Sequence, residues 1–399
     1  MKILVFHCGI FGLEYTLYDM DGEEELAHGI IEGIGTATAI QTYHPAGREA
    51  REMVREVADH YGAVQWMMEV LTDENEGVIK SLNEIDAFGH RVFHGGEKYR
   101  KPVLINEDVL NDVIDFADFA PVHNPYNAEG IKAARRLCRT TPHVAVFDTS
   151  FYHTLPSKAY LYGLPYQYYT QYRIRKYGFH GPCHLYGARQ VALASGTPLK
   201  EMKIVSLYIG RGASMTAIDH GKAVETSMGF SPLEGLVMKN RCGDLDPAVI
   251  IYLAAKENLS LIGVSSLLNK SSGLFGLSGL TNLREVAEEV KIGNERARRG
   301  LDAFVYRVHK YFGAYYVVMK GVDVLIFTAR DDDAVPEIRS MVCDGLDFLG
   351  VKLDAEKNQW AGDTVEEISS PDSSIKVYFV PRNDELEIAR ETRDCLSGT

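Results

Sequence analysis

The sequence predicts an α/β protein made of two related domains, on three observations. One hairpin occurs twice, strand-like runs alternate with helix-like runs around both copies, and 399 residues with 46% hydrophobic content suffice for two packed cores. Residues 2–29 and 203–226 share an order: an apolar strand, a glycine, a second strand, an acidic-Gly turn and a third strand. Lys2-Ile-Leu-Val-Phe-His-Cys-Gly9 aligns with Lys203-Ile-Val-Ser-Leu-Tyr-Ile-Gly210, and the turns Asp19-Met-Asp-Gly22 and Asp219-His-Gly221 follow at matching distances. A repeat this widely spaced is no solenoid period and implies two domains facing across a cleft. Glycine at the first bend lets backbone approach a phosphate, and successive N–H groups there cradle an anion. Two unrelated hairpins would show the same local pattern, so the repeat needs support from the rest of the chain.

In chain order, residues 46–82 read as largely helical, with Met53, Val57, Tyr61, Val64 and Met68 at helix spacing. Val144-Ala-Val-Phe147 is a buried-strand run ending at Asp148, and residues 149–156 are the expected hinge. Residues 285–320 place Val286, Val290, Ala297, Leu301, Val305 and Val308 on helical stripes, which we read as core packing. Residues 322–327 form another strand, ending at Thr328, followed by a strand at 375–380 and a helix at 384–395 that returns to the first domain. The expected division is residues 1–150 plus 385–399 for domain I and 151–384 for domain II.

Net charge is −13, from 42 basic and 55 acidic residues, and no long Lys/Arg run supplies a phosphate-neutralising patch. Nucleic acid is therefore not the expected partner. The six cysteines lack paired metal-ligand spacing and read as free thiols in a reducing cytoplasm. Met1 leads directly into a short strand, so neither a signal peptide nor a membrane span is expected.

Local motifs say more. His90-Arg-Val-Phe-His-Gly-Gly96, Ala120-Pro-Val-His-Asn-Pro125, Phe147-Asp-Thr-Ser-Phe151, Tyr177-Gly-Phe-His-Gly181, Ser227-Met-Gly-Phe-Ser-Pro-Leu-Glu-Gly-Leu-Val-Met238 and Arg241-Cys-Gly-Asp-Leu-Asp-Pro247 resemble the acetate kinase family, as do Ser272–Gly279, Val342–Gly350 and Asn383–Arg390. The resemblance runs essentially end to end. It implies two duplicated actin-like (ribonuclease H-like) domains with a central cleft, and reversible phosphoryl transfer between ATP and a short carboxylate to give an acyl phosphate. It also implies Mg²⁺ and a homodimer formed through domain II.

On the resemblance, Arg91 and Arg241 flank the carboxylate and the phosphoryl group, where guanidinium forks suit multi-oxygen anions. His123 and His180 match donors to the phosphoryl in flight, and Asp148 matches a carboxylate that positions substrate or metal. Asp384 stands for a metal-side glutamate. Phe93, Val122 and Pro232 occupy the positions that line the acyl pocket, with Phe93 where a smaller aliphatic residue is usual.

The donor side departs from the family. The family hairpin Asn-Ala-Gly-Ser-Ser-Ser-Leu-Lys is replaced by His7-Cys-Gly9-Ile-Phe-Gly-Leu-Glu14, and His-Leu-Gly-Asn-Gly by Tyr208-Ile-Gly210-Arg211-Gly212. Gly-Ile-Gly-Glu-Asn gives way to Arg330-Asp331-Asp332-Asp333-Ala334, three carboxylates where a triphosphate would lie. Near Arg284 a residue has been lost. These changes count against ATP or ADP as cosubstrate and leave three alternatives beside the ATP-dependent kinase. One is a phosphotransferase using phosphate or pyrophosphate, with Arg211 as donor-side cation. The second is a catalytically impaired relative that binds acyl phosphate or carboxylate as a sensor or partner subunit. The third is a scaffold.

Overall fold

In the computed structural model, which describes residues 1–330, 333, 335–360 and 362–398, the chain divides into two compact units. The first comprises Met1–His153 with Asn383–Thr399, the second Thr154–Arg382.

The first unit carries an eight-stranded sheet. Its strands are β1 (Lys2–Cys8), β2 (Gly12–Asp19), β3 (Glu24–Glu32), β4 (Thr36–Pro45), β5 (Arg51–Val57), β6 (Ala87–Val92), β7 (Val103–Leu104) and β8 (His143–Phe147), in the spatial order 5-4-3-2-1-6-8-7. β1 to β5 form an antiparallel meander, and β1, β6 and β8 run parallel. Side-chain alternation sends opposite faces of β1 to different helices. Cys8 meets helix Asn124–Leu137, where a Cβ on Gly130 would stand 2.4 Å from its Sγ. Val5, on the other parity, lies with Gly89 beneath helix Asp384–Ser397, whose Thr392 Oγ1 would be 2.6 Å from a Cβ at Gly89. Both glycines thus mark places where backbone and helix approach too closely for any side chain.

The second unit repeats the plan. β9 (Lys203–Ile209), β10 (Ala213–Asp219), β11 (Lys222–Thr226), β12 (Val324–Ala329), β13 (Glu366–Glu367) and β14 (Lys376–Pro381) lie in the order 11-10-9-12-14-13, with β9, β12 and β14 parallel. Strands 3-2-1-6-8 of the first sheet correspond to 11-10-9-12-14 of the second. The hairpins match in detail: Lys2 pairs with Asp19 and Lys203 with Asp219. The register also slips at equivalent places, between Leu17 and Tyr18 and between Ala217 and Ile218. The duplication read from sequence is therefore a duplication of topology, register and bulge.

The helical stripes expected over residues 285–320 lie on two helices, Leu283–Lys291 and Glu295–Met319, each N-capped by an asparagine side chain (Asn282, Asn294), and their apolar stripe is buried. One expectation fails. Residues 51–57 are a strand, and only His60–Leu71 within 46–82 is an α-helix. Met53, Arg55 and Val57 alternate inward at period two, with Arg55 lying over Trp66 and bonded to Glu69; charged residues on an edge strand hid this spacing. Among the described residues no single helix is long and apolar enough to cross a membrane.

Candidate active site

In the first unit the chemistry gathers at the C-terminal ends of β6 and β8. Arg91 and Asp148 are placed side by side by the parallel pairing, which the bond from Asp148 N to Val92 O (2.9 Å) extends past the strand end. Arg91 donates from Nε and Nη2 to the two oxygens of Asp148 (2.8 and 2.9 Å) and from Nη1 to Asp384 Oδ2 (2.8 Å). Both carboxylates are buried. Asp384 opens helix Asp384–Ser397, where the N-terminal dipole favours an anion, and Asn383 caps that helix through Leu386 N. Asp384, assigned by sequence to the end of domain II, thus lies in the first unit. Two carboxylates thus share one guanidinium.

His7 stands beside this triad, with Nδ1 3.4 Å from Arg91 O, and faces Glu14 directly across the β1–β2 pair. Burial, then the charge of Arg91, holds the His7 imidazole below its usual pKa, Glu14 and Asp148 opposing, so the ring is neutral near pH 7. The bend itself is closed by Gly9 N donating to Gly12 O (2.8 Å) and tied down by His60 Nε2 at 2.7 Å from Gly9 O. Ile10 and Phe11 at its tip are exposed, Phe11 by 64%. Farther along, the Phe93 and His123 rings stack face to face, centroids 3.7 Å apart and 7° from parallel, and Val122 is 56% exposed.

The second unit assembles a different group. His180 sits in the left-handed region (φ 61°), where a non-glycine residue is strained, at the start of helix Gly181–Ser195. Its Nδ1 lies 2.9 Å from Ser214 Oγ, and Tyr208 meets its ring edge to face at 4.6 Å. Arg241 donates from Nη1 to Pro232 O (2.7 Å); burial, with Arg211 nearby, lowers its guanidinium pKa from the ordinary value. Gly212 explains how these groups converge. A Cβ there would be 3.1 Å from Arg241 Nη2 and 3.3 Å from His180 Cε1, so the β9–β10 bend lies close against both side chains, and any larger residue would press them back by a few tenths of an ångström. Gly210 N donates to Gly212 O at 2.8 Å, matching the first bend.

The sequence-derived residues therefore fall into two sets, each local to one unit: Arg91, Asp148, Asp384, His7, Glu14, Phe93, Val122 and His123 in the first, and His180, Tyr208, Gly210, Arg211, Gly212, Pro232 and Arg241 in the second. Arg284, also in the second unit, is in the first turn of helix Leu283–Lys291. Arg330 follows β12; Asp331 and Asp332 lie outside the described residues. Asp333 pairs with Lys239 at 2.8 Å. Among the described residues no group of three or more His, Cys, Asp or Glu could cage a metal. Asp148 and Asp384 are carboxylates of the kind Mg²⁺ takes in its sparser mode, with substrate phosphates and water, although both Asp148 oxygens and Asp384 Oδ2 already accept from Arg91. Sequence reasoning missed Asn127, whose amide accepts from Phe93 N and donates to Cys8 O, and also Ser206, His184 and Ser214 behind His180. The His180–His184 spacing, one helical turn, was the available signal.

Residues 2–390 match the acetokinase family. The acetate kinases of Dictyoglomus thermophilum and Halothermothrix orenii are each 47% identical over 393 residues, 98% of this chain and of each relative. Among solved structures, the Porphyromonas gingivalis acetate kinase superposes with a TM-score of 0.94 at 38% identity, covering 99% of both chains. A Francisella tularensis propionate kinase gives 0.91 at 32%, over 98% of this chain and 99% of the other. The duplicated α/β architecture is accordingly the actin-like one expected, and the chain belongs to the acetokinase family, a family of carboxylate phosphotransferases.

Proposed function

We propose that the protein transfers a phosphoryl group reversibly between ATP, with Mg²⁺, and the carboxylate of acetate or a similarly short acid, forming an acyl phosphate. The convergence of His180 and Arg241 on Gly212 carries this reading, because it sets an imidazole and a guanidinium together at one bend. Phosphoryl transfer needs positioning and charge stabilisation, not covalent help. Arg241 and His180 would stabilise the transferred group. Arg91, fixed by Asp148 and Asp384, would orient the acid, and those two carboxylates would hold Mg²⁺, which supplies charge neutralisation on the phosphates. Phe93, Val122 and Pro232 would bound the acyl end, His123 would donate to the phosphoryl, and Arg284, Arg330 and Arg211 would lie on the nucleotide side. The test is a coupled assay with acetyl phosphate, ADP and Mg²⁺. ATP formation at rates of order 10 s⁻¹ supports the reading, and none at saturating enzyme rejects it.

A second reading is favoured by one observation, the apolar tip Ile10–Phe11 with Glu14 behind it, which offers a nucleotide phosphate neither cation nor hydroxyl. On that reading the donor is phosphate or pyrophosphate, or the protein binds acyl phosphate without turning it over. Replacing ADP by phosphate or pyrophosphate in the same assay, and measuring acetyl phosphate binding by calorimetry, distinguishes the two. The partner we propose is a second copy of this chain, docked in the cytoplasm on the second unit. Helix Pro247–Lys256 there buries no residue although it carries Val249, Ile251 and Tyr252, and Leu261 and Ile262 after it are 89% and 82% exposed. Sedimentation of the Ile251→Asp, Leu261→Asp variant as a monomer, beside a dimeric parent, is the expected result.

A further inference from the structure

Behind His180 the second unit contains a chain of three short contacts. His180 Nδ1 is 2.9 Å from Ser214 Oγ, Ser214 Oγ is 2.8 Å from His184 Nε2, and His184 Nδ1 is 2.8 Å from Ser206 Oγ. Ser206, His184 and Ser214 are fully buried. Burial also drives the His184 imidazole down to about 3, so it is neutral and holds one N–H. The chain runs between adjacent strands, since Ser206 is on β9 and Ser214 on β10, and is bridged by the second helical turn after His180.

The direction of these bonds is decided by counting hydrogens. Among the described residues Ser206 Oγ has His184 as its one hydrogen-bond partner, and Ser214 Oγ has the two imidazoles. If His184 donated to Ser206, the Ser206 hydroxyl hydrogen would be left in the core with no acceptor. If His180 donated to Ser214 while His184 did too, the Ser214 hydrogen would be stranded. Every buried hydroxyl hydrogen finds an acceptor in one arrangement of neutral rings: Ser206 donates to His184 Nδ1, His184 Nε2–H to Ser214, and Ser214 to His180 Nδ1.

We propose that Ser206, His184 and Ser214 are positioning residues that act as a directed hydrogen-bond relay, fixing His180 as the tautomer with its proton on Nε2. Resting on the reading that His180 meets the transferred phosphoryl, the relay makes that contact a neutral, pre-aimed N–H donor. The ring can neither flip nor present a lone pair to the anion without breaking a bond in the core. The same relay gives a reason for the strained His180 backbone, since the left-handed conformation at the helix start keeps the imidazole over Ser214.

The test begins with the wild-type protein. Long-range ¹H–¹⁵N correlation on histidine-labelled protein, with the two residues assigned by subtraction in His180→Asn and His184→Asn, should show bare Nδ1 and protonated Nε2 on both rings. Ser214→Ala should shift the His180 Nδ1 resonance and lower kcat about tenfold with KM within twofold, through loss of ring orientation, and Ser214→Thr should restore both. Protonation at Nδ1 of either ring in the wild type, or an unmoved His180 Nδ1 resonance in Ser214→Ala, overturns the relay. The expected resonances with unchanged kcat in Ser214→Ala would sustain the relay and count instead against His180's contact with the phosphoryl.

Discussion

Replacing Arg91 by methionine keeps an aliphatic stem in place and removes the charge from between two buried carboxylates. Three bonds of 2.8–2.9 Å are lost, and Asp148 and Asp384, both buried, lose the guanidinium they share. Breaking one buried pair costs about 3–5 kcal/mol, because a desolvated charge is left uncompensated; with two charges stranded we expect about 5 kcal/mol. That is a large part of the 5–15 kcal/mol typical of a folded domain. The two tryptophans allow the measurement to be local. Trp66 is buried in the first unit's core and Trp360 lies in the second unit, so fluorescence in a Trp360→Phe background reports the unit that holds Arg91. With a urea slope of about 2 kcal/mol/M, the midpoint at pH 7.5 should fall by about 2.5 M. Neutralising one carboxylate in Arg91→Met, Asp148→Asn should recover part of the loss. A loss under about 1 kcal/mol at pH 7.5, or a loss that the second substitution does not reduce, would show that the triad is not the buried charge cluster described above.

Acid should weaken the wild-type protein by a different route. Burial pushes His94 down to about 3 and His143 to about 4, so each binds its proton in the unfolded chain near 6.5 and in the folded one only at far lower pH. Their stabilising contribution is complete above about pH 6.5 and lost as pH falls towards 4. In the first unit the two rings together should remove about 2.7 kcal/mol between pH 7.5 and 5.5, read by the same fluorescence midpoint; a flat profile would contradict their burial in neutral form. Phe93→Val should open the acyl end beside His123 and raise the ratio of kcat/KM for propionate over acetate by about 10-fold or more, the worth of one methylene; an unchanged ratio would place the Phe93 ring outside the pocket. Gly212→Ala should lower kcat by about 10²-fold while leaving the fold intact, because its methyl group must displace Arg241 or His180, and wild-type turnover would show that those side chains yield freely.

Sequence made the two hairpins legible because their signal is local: strand, glycine, strand and an acidic turn lie within a few tens of residues. The run Val144–Phe147 was equally plain, being buried on both faces as a central parallel strand must be. β5 was not, since an edge strand owes its place to β4 rather than to its own composition, and Arg51, Glu52, Arg55 and Glu56 dilute its alternation. For the site, the residue types at 91, 148, 180 and 241 could be read one by one, but not their charge balance. That Asp384, at the opposite end of the sequence, shares Arg91 with Asp148 is a consequence of where the last helix docks. The relay behind His180 escaped for a similar reason. Ser206 and Ser214 are unremarkable in sequence and become partners only because β9 and β10 pair in the observed register.

The two bends differ in what they can tolerate. Each is closed by a glycine N–H at 2.8 Å from the carbonyl of a later glycine, so that donor is spent within the bend in both and the neighbouring side chains decide what each bend can hold. The side chains then diverge. Gly212 has Arg241 and His180 against it, whereas the first bend has exposed Ile10 and Phe11, a neutral His7 and Glu14. Backbone dipoles alone bind phosphate weakly when water competes, and a neighbouring carboxylate opposes them further. The first bend is therefore the place where a change of phosphoryl donor would have been registered, and Glu14→Lys with Ile10→Ser and Phe11→Ser reverses the chemistry there without touching the second unit. If ATP is the donor already, these substitutions should change the apparent KM for ADP by less than about 3-fold. If Glu14 and the apolar tip exclude nucleotide, they should create ADP-dependent turnover, because restoring a cation at 4 Å from phosphate is worth about 4 kcal/mol at a surface-like dielectric.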